Sequence, residues 1–145
     1  MLDLGLAITH HVLVFGLAVM LAMELAYLKA DPVPVTRLSK LDAGYGGIAA
    51  AVGIVGVVRV IWGAKGWIAY QDNPWFWAKV ATFAVIGLLS ILPTIRFIRW
   101  SRALKADGAF RPVAAEVSRA TLWVRLEVLL LFPLVAFAAA MARHS

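Results

Sequence analysis

The chain has 145 residues, 63% of them hydrophobic and 15% charged, and its mean hydropathy is +0.86; a soluble domain of this size cannot hide so much apolar surface, so the lipid bilayer is the expected partner. A net charge of +6 and an isoelectric point near 10.2 would suit nucleic acid, but the basic residues gather in two connections between apolar segments, where membrane topology accounts for them, and nucleic acid is set aside. The absence of cysteine excludes disulfides, thiolate metal sites and cysteine-held iron–sulfur clusters, leaving His10, His11 and His144 as the imidazoles.

Four segments are long and apolar enough to span as helices, at about residues 4–28, 41–62, 74–100 and 120–142. Ahead of the first, Met1 to Gly5 carries only Asp3 as a charge and no basic leader region, so this segment is expected to be retained. Pro32 and Pro34 stop the first helix, and Ser39 is the expected cap of the second. The second connection holds Gly63, Lys65, Gly66, Trp67 and Tyr70, aromatic enough to lie against the membrane interface. Pro74 opens the third span, flanked by Trp75 and Trp77. The third connection is expected from Ser101 to about Ser118, with Pro112 as a helix start. Short connections give an all-α, integral membrane, four-helix up-down-up-down bundle in a single domain.

Orientation follows from the basic residues. Lys29, Arg37, Lys40, Arg99, Arg102, Lys105, Arg111 and Arg119 flank the first and third connections, against Lys65 and Arg143 at the other end. Positive charge stays inside, so in a bacterial inner membrane both termini are expected outside. His10, His11, Arg59 and Lys79 then fall in the outer half, and Glu24, Asp42, Tyr45, Arg96, Arg125 and Glu127 in the inner half.

Helical spacing sorts these residues by face. His10 and Glu24 lie about two heptads apart on one face, with His11 pointing away. Tyr45, Ala49, Val52, Gly56 and Arg59 form a stripe whose small residues leave room for something flat beside Gly56. Lys79, Phe83, Ile86, Ser90, Pro93 and Phe97 form the inward stripe of the third span, and Trp123, Glu127, Leu130, Leu134 and Met141 that of the fourth.

An imidazole beside two cations suits haem b or a related porphyrin, with His10 on the metal, His11 as the alternative ligand, and Arg59 and Lys79 on the propionates. A second axial ligand would have to come from Met141 or another subunit of a homo-oligomer. The plainer reading is that Arg59 and Lys79 snorkel to the surface. In the inner half, Glu24 is expected to pair with Arg96 or Arg125, as is Glu127. The functional alternative is a proton path through Glu24 and Glu127.

Asp42 to Gly46 (D-A-x-Y-G), Arg59 with Gly63 to Gly66, PWFWAK at Pro74 to Lys79, and S-x-x-P-T-x-R-F-x-R-W at Ser90 to Trp100 resemble a family of small bacterial four-helix membrane proteins of unknown function. More distantly, an early histidine in the first helix and a tryptophan shortly before the lysine that enters the third resemble HemJ-type protoporphyrinogen oxidases and copper-resistance D-like membrane proteins. That likeness implies a tetrapyrrole ligand, with His10 or His11 and Lys79 at the matching positions. Three functions are expected to compete: a haem-b or porphyrin-binding protein, redox-active with quinone or a porphyrinogen; a small transporter or proton-path protein using Glu24, Lys79 and Glu127; and a structural subunit of a membrane complex.

Overall fold

Proline sets the helix boundaries at two places, and the inward apolar stripes decide how far the helices run. In the computed structural model, which describes residues 1–63 and 65–143 except for the side chain of Asp3, α1 spans Leu2–Lys29, α2 Val35–Trp62, α3 Gly66–Gln71, α4 Pro74–Ala106 and α5 Ala114–Arg143. His144 lies outside the described residues. Four of these helices, all but α3, are long and apolar enough to cross a membrane.

The second helix starts earlier than residue 41. Pro34 occupies its N-cap position and Ser39 lies inside it. The reason is the stripe Val35, Leu38, Asp42 and Tyr45, all buried, which keeps helical period through the polar Arg37 and Lys40. The third connection is likewise shorter than expected, because α4 runs to Ala106 and α5 begins at Ala114. Arg102, Lys105, Glu116 and Arg119 therefore sit on helices. At about 1.5 Å per residue α4 is roughly 50 Å long, well beyond a hydrocarbon core of about 30 Å, so charge at its end does not stop it. The turn between α4 and α5 is tied by Asp107, whose side chain accepts from the Ala109 amide at 3.0 Å.

The entry to α4 is firmly made. Asn73 caps it, accepting from the Trp75 amide at 3.0 Å, and Pro74 takes the first helical position. Before it, the short helix α3 follows Gly66, whose φ of +71° is a left-handed conformation that glycine adopts without cost. Trp67, Phe76 and Trp77 pack edge to face around this corner with Tyr70 tilted against Phe76, and the Trp77 indole donates to the Gln71 carbonyl at 2.9 Å.

Helix α1 packs on α2 and α5, and α4 packs on α2 and α5, which places the four long helices in a ring of antiparallel neighbours. The core runs through Leu17, Leu21, Leu38, Val52, Phe97 and Val124. Phe15, Ile54, Leu88, Leu129 and Phe132 point outward, as lipid-facing positions should. Between spans, close fit must replace the hydrophobic drive. Gly53 and Gly44 supply it: a β-carbon would meet Phe83 at 3.8 Å in the first case and Met20 at 3.0 Å in the second.

At the end of the bundle that carries the first and third connections, Glu116 of α5 joins α4 twice. Arg96 Nη1 lies 2.7 Å from Glu116 Oε1, and Trp100 Nε1 donates to Glu116 Oε2 at 3.0 Å. Replacing Glu116 by alanine should cost about 1–2 kcal/mol of stability, against less for Trp100→Phe, because the carboxylate serves two donors at once. Denaturant unfolding in detergent, run as a double-mutant cycle between Glu116 and Trp100, measures the coupling; none at all would mean that this clamp contributes nothing.

Candidate functional site

Two polar clusters occupy the bundle at two depths. His10 and Glu24 both face inward from α1, as their spacing requires, and are 8% and 0% exposed. His11 is exposed, its Nδ1 2.7 Å from the Ala7 carbonyl oxygen.

At the end that carries the chain termini, the His10 ring meets α2 at Gly56, where an added β-carbon would lie 3.8 Å from its Cε1. The flat group expected beside Gly56 is thus the His10 imidazole itself, and the notch is filled from within. Lys79 of α4 and Arg59 of α2 are the cations nearest in the field of this ring. His10 Nδ1 and Arg59 Nε are buried without a hydrogen-bond partner. Among the described residues neither Arg59 nor Lys79 forms an ion pair or side-chain hydrogen bond. Three helices therefore converge an imidazole and two cations with no carboxylate, among the described residues, to neutralise them. Met141 is half-buried on α5, and its carbonyl receives a bond from Asn73 Nδ2 at 3.5 Å. Among the described residues no three His, Cys, Asp or Glu groups gather closely enough to hold a metal ion.

The second cluster lies toward the opposite end and draws on every long helix. Glu24 of α1 faces Asp42 of α2, with Glu127 of α5 close by. Asp42 accepts from Thr94 Oγ1 of α4 at 2.6 Å, and Tyr45 donates to Glu127 Oε1 over a long 3.4 Å. Both Glu24 oxygens and Glu127 Oε2 are buried with no well-formed hydrogen bond.

The expected ion pairs of Glu24 and Glu127 with Arg96 or Arg125 are not formed. Arg125 is exposed, because two residues along α5 is more than half a turn from the buried Glu127. Arg96 turns instead to Glu116. That partner lay in a stretch read as a connection, which is why the sequence did not offer it. Thr94 was missed as well; its one signal is its place directly after the buried Pro93 on the inward stripe. Lys79 stands about two heptads along α4 from the Thr94 level, so it lies in the other cluster from Glu24 and Glu127.

The chain belongs to the family described as "Predicted membrane protein (DUF2214)", which matches residues 2–144. No curated protein and no solved structure matches it.

An unpaired Glu24 makes a clear expectation for stability. Breaking a buried ion pair costs about 3–5 kcal/mol, because one charge is stranded. Glu24→Gln strands nothing here and should change the unfolding free energy by less than about 1 kcal/mol, or raise it. Unfolding in detergent micelles checks this, and a loss of several kcal/mol would restore a hidden cationic partner.

Proposed function

We propose that this membrane protein binds the acidic head of a membrane-soluble amphiphile at His10, Arg59 and Lys79. One observation carries the reading: two cations and an imidazole, contributed by three helices near the terminal end, have no carboxylate paired with them among the described residues. A carboxylate or phosphate would neutralise both cations and offer acceptors to Arg59 and Lys79. Snorkelling alone explains each cation singly, but it leaves the buried Arg59 Nε and His10 Nδ1 without partners.

Haem b or a related porphyrin is one member of this ligand class, with propionates at Arg59 and Lys79 and His10 at the iron. The charges of the cluster suit its acidic edge. The packed interior does not suit its ring: His10 already lies against Gly56, and the cavity beside Tyr45 and Ser90 measures about 30 Å³, room for a single water. A porphyrin thus matches the charges and not the space inside the bundle. Quinone carries no acid, so the two cations give no reason to select it.

The test uses the purified full chain in nanodiscs of phosphatidylcholine, with and without phosphatidylglycerol, and in a haemin titration. Melting temperature should rise with the acidic lipid, and the rise should disappear in Arg59→Gln/Lys79→Gln, which removes no internal ion pair. A Soret band that shifts with His10→Ala and not with His11→Ala would single out the porphyrin. Protein that responds to neither ligand overturns the reading.

We further infer that both termini face outward across a bacterial inner membrane. Lys29, Arg37, Lys40, Arg99, Arg102, Lys105 and Arg111 cluster at the end opposite the termini. Reporter fusions after Lys40 and after Lys105 should read as cytoplasmic; a periplasmic signal from both would reverse the orientation.

A further inference from the structure

The acid cluster lies apart from the cationic site and demands its own explanation. Three carboxyl groups from three helices, those of Glu24, Asp42 and Glu127, meet two hydroxyls, of Tyr45 and Thr94, in the centre of the bundle. A cluster of acids alone means little. The additional observation is Glu24 itself: wholly buried, set against the Asp42 carboxyl, and with neither oxygen accepting from an N–H or a hydroxyl. Carboxyl groups so placed are poor structural glue, since apolar side chains of similar size would pack there without desolvation cost.

Something positive has to occupy this place. Arginine does not, because Arg96 is held by Glu116 and Arg125 is exposed. A metal ion does not fit either, since among the described residues no group of three His, Cys, Asp or Glu has the closeness to ligate one. A proton needs no cavity and only one oxygen. The geometry points to a proton-binding site at Glu24, which takes up and releases a proton that passes by way of Asp42 to water at the connection end of the bundle.

The surroundings suit that role. Among the described residues the titratable and charged groups facing Glu24 are Asp42 and Tyr45 from α2 and Glu127 from α5; from α4 the uncharged Thr94 hydroxyl reaches Asp42, and Ser90 lines the small cavity at Tyr45. Glu24 stands five residues from the end of α1, a rise of about 8 Å, so the connection-end surface is near. A cavity of about 390 Å³ opens there between the two connections, lined by Val33, Val35, Leu104, Phe110 and Arg111. About two turns of α2, carrying the buried Leu38, separate Val35 from Asp42. On the other side, the cavity of about 30 Å³ adjoins the cluster at Tyr45 and has room for one water. The exchange is balanced by water alone: hydronium gives its proton to the carboxylate and leaves as water, and release is the reverse.

The experiment is a pH-induced infrared difference spectrum of the full chain in nanodiscs. Lowering the pH should add a protonated-carboxyl C=O band and remove carboxylate intensity, and raising it should do the reverse. Exchange into D2O should shift that band, showing contact with bulk water. Glu24→Gln should lose it while retaining its helical circular dichroism and melting temperature, and Glu116→Gln, at a partly exposed position, should keep it. The proposal fails if no buried carboxyl titrates in folded protein, if the band survives in Glu24→Gln, or if it does not shift in D2O. Loss of the band on adding sodium or calcium at constant pH would give the cluster to a metal ion and also overturn it.

Discussion

A charge inside a helix bundle in lipid has to be met by a partner, a proton or water, and this chain keeps the cations beside His10 and the acids around Glu24 too far apart to meet one another. His10 and Glu24 are about two heptads apart on α1, a rise of roughly 20 Å. At that separation, with an effective dielectric constant near 20, two unit charges interact by only about 0.8 kcal/mol. The clusters therefore cannot neutralise each other, and each needs its own solution. The arrangement of the four long helices follows from holding two such clusters while facing lipid on every side.

The packing that surrounds them is economical in volume. Small residues on α2 accept the ends of larger side chains from α1 and α4: Gly44 faces Met20, Gly53 faces Phe83, and Gly56 faces His10. Where no water is expelled between helices, such contacts hold the spans together by dispersion and close approach. The same fit leaves almost no interior space, and that is what turns the reading of the cationic cluster away from an enclosed macrocycle and toward an acidic head approaching from the membrane.

At the connection end the helices extend beyond the hydrocarbon and become a polar collar. Glu116 binds Arg96 and Trp100 together, so the arginine that sequence spacing offered to the buried acids is occupied elsewhere. This has a consequence for both clusters. With Arg96 and Arg125 removed from the interior, neither the acids of Glu24, Asp42 and Glu127 nor the cations of Lys79 and Arg59 have a partner of opposite charge among the described residues.

Periodicity and hydropathy alone determined the four spans, the up-down-up-down order, the start of α4 at Pro74, and the inward face of α1 that buries His10 and Glu24 while exposing His11. These are local properties: a run of apolar residues, a proline, a 100° step per residue. The start of α2, the end of α4 and the start of α5 were not legible, because charge outside the hydrocarbon resembles a loop until a tertiary partner such as Glu116 holds the helix in place. Nor were the partner of Arg96, the outward turn of Arg125 and the occupant of the Gly56 notch. Spacing along one helix says which side chains face inward, but which of them touch depends on the rotation and height of neighbouring helices, and only the packed bundle fixes those.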